Sequence, residues 1–101
     1  MDLGTAIKNI RRSKGIKQNT LAEMCDITPT YLSQIENNVK EPHMSVLKVI
    51  AEKLDLPLPV MFFLSLSTDD ITPEKREAYK HLVPSINSMI SEFFVNTDSI
   101  K

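Results

Sequence analysis

The sequence predicts an all-α chain. Apolar residues recur three and four apart through most of its 101 residues, which gathers them on single helical faces. Two pairs, Thr28-Pro29 and Thr72-Pro73, have the form of an N-cap followed by proline in the first helical position. Lys14-Gly15 and Asn38 supply matching stops, because glycine and asparagine accept the left-handed backbone that closes a helix. The segment Gln18 to Asn37 is the centre of this arrangement and reads as two short helices joined by a tight turn. Residues 1–66 are expected to form a five-helix unit, and residues 67–101 an extension of one or two further helices.

Taken in order, Leu3, Ile7 and Ile10, with Ala6 beside them, give the inner face of helix one. Lys8, Arg11, Arg12 and Lys14 are left outside, and Ile16 plugs the core before the next element. Leu21, Ala22 and Cys25 form the apolar stripe of helix two, with Asn19, Thr20 and Glu23 exposed. Asp26 tolerates the left-handed turn, Ile27 is an apolar plug, and Thr28-Pro29 opens helix three. Leu32 and Ile35 are its inner face, while Pro29, Thr30, Ser33, Gln34 and Asn37 look outward. A short, uncharged polar face of this kind is unusual on a solvated helix, which normally carries Lys and Glu. After a loop through Pro42, Met44, Leu47, Ile50, Ala51 and Leu54 face helix four to the core, supplemented by Val46. His43 sits at its capping position as an ordinary loop residue. Pro57 and Pro59 end that helix and start a fifth through Val60, Met61, Phe62 and Phe63.

The remainder follows a polar break at residues 65–70. Thr72-Pro73-Glu74 caps a sixth helix expected to run to about Leu82-Val83, after which Pro84 kinks it or begins a seventh. Ile86, Met89, Ile90, Phe93 and Phe94 then make the strongest amphipathic stripe in the chain. That stripe can fold back on helix five, pair with another subunit or bind a different protein. Asn96 to Lys101 are expected to fray.

Composition narrows the function. The formal net charge is −1, which argues against an indiscriminate polyanion binder. The charge is uneven, however: residues 1–40 hold six Lys/Arg against four acids, and residues 67–101 hold four against six. The N-terminal half is therefore the side suited to a phosphate backbone. Cys25 is the single cysteine, so one chain contains no disulfide framework and no cysteine metal site. The two histidines lack ligand spacing to carboxylates, and the two glycines cannot build a phosphate-cradling loop. No catalytic residue, cofactor or metal is expected. Without a signal peptide or an apolar run long enough to span a bilayer, no membrane association is expected and the cytoplasm is the expected compartment.

The stretch QNTLAEMCDITPTYLSQIEN resembles the helix-turn-helix of the phage-repressor-like (Cro/cI or XRE-type) DNA-binding proteins. The positions that carry the resemblance are Gln18 opening the first helix, Leu21-Ala22 within it, Ile27 after the turn, Leu32 and Ile35 on the second helix, then Glu36. Asp26 and Asn38 stand where that family usually has glycine. The resemblance covers roughly Leu3 to Phe63. It implies a sequence-specific regulator of duplex DNA, most simply a dimeric repressor on a palindromic operator. It further implies DNA contacts from Lys17, Gln18, Thr28, Pro29, Thr30, Tyr31, Ser33, Gln34, Asn37 and Lys40, with Gln18 and Lys40 on phosphate. Glu36 is expected to pair with a basic residue of helix one. Phe62 and Phe63 either close the domain's own core or join Ile86, Met89, Ile90 and Phe93 in a homodimer interface. An antitoxin, a restriction-modification controller and a protein-interaction module that has lost DNA binding are the alternatives, and an inducer or further protein partner is left open.

Overall fold

The computed structural model describes residues 1–94, and their regular structure is six α-helices and two 3-10 turns. The helices are α1 (Leu3–Ser13), α2 (Gln18–Met24), α3 (Pro29–Glu36), α4 (Met44–Lys53), α5 (Leu58–Ser65) and α6 (Arg76–Phe93). Among the described residues no helix is long and apolar enough to cross a membrane. α1 packs against both α3 and α5, α2 against α3 and α4, and α4 against α5. One core runs through all of them, with Ile7, Ile10, Leu21, Leu32, Ile50 and Met61 fully buried. Ala22 is also fully buried where α2 meets α3, and a larger side chain there would drive the two helices apart.

The turns carry the predicted chemistry. Asp26 between α2 and α3, and Asn38 after α3, have φ of 56° and 59°, a left-handed backbone that short polar side chains tolerate best after glycine. Thr28 Oγ1 accepts from Tyr31 N at 3.0 Å and Pro29 takes the first helical position, so the start of α3 is fixed by side chain and ring together.

Three expectations are corrected. Arg11 is buried, 7% exposed, although Arg12 beside it is solvated. It falls four residues after Ile7, on the apolar stripe, and turns inward because Glu36, 2% exposed, awaits it there. Met44 is exposed rather than in the core, at the first position of α4. The sixth helix begins only at Arg76, after a 3-10 turn at Pro73–Lys75 in which the Thr72 side chain caps nothing. It then continues through Pro84 as one helix, because Pro84 and Lys80 lie on the solvated side and water can satisfy the carbonyl that the proline leaves unbonded. Of the stripe whose alternatives included folding back on helix five, Ile90 is 4% exposed and belongs to the chain's own core. Asn96 to Lys101 lie outside the described residues.

The end of α3 is held to α1 at two places. Arg11 Nε and Nη2 donate to Glu36 Oε2 and Oε1 at 2.8 and 3.0 Å, a bidentate pair, and Arg11 Nη1 donates to Ile16 O at 2.8 Å. Gln18 Nε2 adds a third donor to Glu36 Oε1 at 3.1 Å. At the other place, Gly4 lets the backbones approach: a Cβ on it would lie under 3.0 Å from Ile35 O and from the Asn38 side chain. Removing the Glu36 carboxylate would leave a buried guanidinium without its counter-charge. Glu36→Ala is therefore expected to lose about 3–5 kcal/mol of stability in urea unfolding, and the double change Arg11→Leu, Glu36→Leu to lose less.

Candidate nucleic-acid interface

Three neighbouring surfaces form the site: the start of α2, the outward face of α3 and the loop 37–42. Lys17 is the exposed N-cap residue of α2, and no side chain caps that helix, so its first-turn amides face outward beside a cation. The Gln18 side chain, half-buried, is already engaged with Glu36. A phosphate at this end would meet the backbone amides and Lys17 before it met the Gln18 amide.

On α3, Pro29, Thr30 and Asn37 are exposed and Ser33 and Gln34 half-exposed, all on the side opposite Leu32 and Ile35. Asn37 Nδ2 donates to Ser33 Oγ at 3.3 Å, which braces these two small polar groups against each other. Thr28 uses its hydroxyl as the helix cap, so its methyl is the group left for an apolar contact. Tyr31 is half-buried and packs against the core, with only part of its ring on the surface. The loop starts with Val39 N and Lys40 N both donating to Gln34 O, at 2.8 and 3.1 Å, and carries Lys40 exposed beside the end of α3.

The spacing of residues gives no sign of Asp2. Its carboxylate caps α1 by accepting from Thr5 N at 3.0 Å and accepts from Asn38 Nδ2 at 2.7 Å. Those bonds, that from the Thr5 backbone foremost, hold the Asp2 carboxyl below the usual carboxylate range. Asn38 was legible as a helix stop, but its side chain also accepts from Gly4 N at 3.1 Å. Cys25 is buried at the end of α2, and burial pushes its thiol up, which disfavours a nucleophilic thiolate.

Two short helices, α2 and α3, joined by a tight turn, with the end of the second bonded to Gln18 of the first and to Arg11 of α1 through Glu36, and with a small uncharged polar face on the second, define a helix-turn-helix unit. The family model of helix-turn-helix proteins matches residues 7–61. The chain belongs to that family of DNA-binding regulators, in its XRE-type branch. Among its relatives, the HTH-type transcriptional regulator RamB of Mycobacterium tuberculosis is 33% identical over 75 residues, 74% of this chain. The chain spans only 15% of RamB. The ImmF control region 10 kDa protein of Bacillus phage phi105 is 39% identical over 59 residues, 58% of this chain and 66% of that protein. The crystal structure of the clp gene regulator ClgR from Corynebacterium glutamicum shares the fold, with a TM-score of 0.63 at 21% identity over 89% of this chain and 87% of ClgR.

Gln34 has the amide needed for a bidentate contact to adenine, and such a pair discriminates by about 1–3 kcal/mol. Gln34→Ala is expected to relax preference at the base pair it contacts, read from sequences selected out of random duplexes. Lys40→Ala is expected to weaken all sequences alike and to reduce the salt slope of binding by roughly 0.9, the contribution of one phosphate. A loss confined to one base identity would instead make Lys40 a sequence reader.

Proposed function

We propose that the chain is a sequence-specific repressor that occupies a palindromic operator as a homodimer and so blocks transcription in the cytoplasm. The observation that carries this reading is the outward face of α3. Thr30, Ser33, Gln34 and Asn37 keep donors, acceptors and methyl groups of the size that base edges require, while Lys17 and Lys40 flank them. A face kept only for protein contacts has no reason to retain these small polar groups in that frame. The likeness to a phage control-region protein supports a regulatory rather than a structural role.

Pairing is required because one recognition helix reaches only a few base pairs. Two copies about 34 Å apart would read two half-sites on one side of the duplex. Two open apolar clefts, of about 580 and 290 Å³, meet at Pro59 and Phe63 on α5. Phe62 borders the first, and Ile86, Met89 and Phe93 of α6 border the second. Met89 and Phe93 are 61% and 67% exposed, an amount of apolar surface that invites a self-complementary contact. In this reading residues 67–101 serve as the pairing element, and their negative balance keeps them off the phosphates.

Selection from random duplex DNA is expected to return two inverted half-sites. A single unrepeated site would overturn the palindromic dimer, and no enrichment at all would overturn sequence-specific binding. For the interface, Met89→Asp and Phe93→Asp change exposed positions and so should leave the melting temperature nearly unchanged. Each is expected to shift the mass in solution from dimer towards monomer at micromolar concentration. A wild-type chain that is already monomeric under those conditions would remove the dimer from the proposal.

A further inference from the structure

We propose that Asn38, held from two sides by Asp2 and Gly4, is the positioning residue that sets where the 37–42 loop carries Lys40 against the DNA backbone. The inference rests on the reading of Lys40 as a phosphate contact. Asn38 is exposed, so burial does not account for its side-chain bonds: Nδ2 donates to Asp2 Oδ1 at 2.7 Å and Oδ1 accepts from Gly4 N at 3.1 Å. Its backbone is left-handed, with φ 59°, and glycine would adopt that conformation with less strain. What asparagine adds at this position is therefore the pair of side-chain bonds.

Those bonds are the loop's polar tie to α1. The bonds from Val39 N and Lys40 N run to Gln34 O, and fasten the loop only to α3. Beneath the loop lies a half-open cleft of about 320 Å³ bordered by Leu3, Ile35, Lys40 and Pro42, so packing does not fill the space under Lys40. The anchor itself is firm. Asp2 caps α1 through Thr5 N at 3.0 Å, and its own N–H donates to Ser65 O at the end of α5, at 2.9 Å. Gly4 completes the seat, because a Cβ there would displace the Asn38 side chain. The loop is thus referenced to the same helices, α1 and α5, that hold the rest of the domain.

Two variants test this. Asn38→Gly keeps the left-handed backbone and removes both bonds. Asp2→Ser keeps a good N-cap for α1 but is too short to reach Asn38; because it leaves residue 38 intact, it keeps the test decisive should Asn38→Gly unfold. Each is compared with Lys40→Ala, alone and combined, by titrating a fluorescently labelled mixed-sequence duplex with the full chain at about 50 to 200 mM salt. Thermal melting of every variant is recorded alongside. Both variants are expected to bind more weakly, with the salt slope lowered by up to about 0.9, and to add nothing further once Lys40 is Ala. A purely structural role would lower the melting temperature with an unchanged slope, and overturns the proposal. So do wild-type binding by both variants, and losses that add to that of Lys40→Ala. If Lys40→Ala itself leaves the slope unchanged, the phosphate reading fails and the proposal falls with it; if Lys40→Ala lowers the slope and neither variant does, only the positioning role is lost.

Discussion

Arg11 and Glu36 place a guanidinium and a carboxylate almost out of reach of water, and three elements take their relative positions from that contact. Glu36 sits at the end of α3, Arg11 on α1, and Gln18 at the start of α2, and all three meet at the two carboxylate oxygens. Taking two charges out of water costs several kcal/mol each, so such a pair is tolerable only when the remaining polar atoms are met as well. Here they are: the third Arg11 donor reaches Ile16 O, and among the described residues no buried side-chain nitrogen or oxygen lacks a partner. Apolar contacts between Leu32, Ile35 and the core would accept a range of helix rotations. Hydrogen bonds with directional geometry accept far fewer.

The same pairing shapes the surface potential. Arg11 and Glu36 neutralise each other inside, so residues 1–40 are left with Lys8, Arg12, Lys14, Lys17 and Lys40 against Asp2, Glu23 and Asp26. The N-terminal half keeps its positive balance. Arg12, Lys17 and Lys40 are its exposed cations, and in the proposed reading Lys17 and Lys40 steer a polyanion without competing for base edges.

Much of this was legible in the residues. The stripes of α1, α2 and α3 and the Thr28-Pro29 start follow from helical periodicity and capping chemistry, both local properties. The left-handed turns at Asp26 and Asn38 could be read for the same reason. Arg11 was misread because charge outweighed position: it stands on the stripe of Ile7, and only the distant Glu36 makes that tolerable. Pro84 left two outcomes open, a kink or a seventh helix, and the helix runs through it, because its cost depends on whether the freed carbonyl meets water, which sequence does not encode. The α6 stripe divided for a third reason. Its buried side turns toward Asn87 and Ile90, leaving Met89 and Phe93 in solvent, and that rotation is set by how α6 meets α5 rather than by its own pattern. The contacts of Asp2 and Gly4 join residues more than thirty positions apart, and no spacing rule reaches that far.

The internal fastening of α3 also has an evolutionary consequence. The side chains of Thr28, Tyr31, Leu32, Ile35, Glu36 and Asn38 seat this helix, whereas among the described residues those of Thr30, Ser33, Gln34 and Asn37 lie outside the buried core and make no hydrogen bond to another element, Ser33 and Asn37 bonding only each other. Substitutions at those outward positions can therefore accumulate without threatening folding. If these residues read the operator, as proposed above, such a domain can be reassigned to a new control sequence by a few outward changes, and lineages that duplicate it could diverge in target long before they diverge in shape.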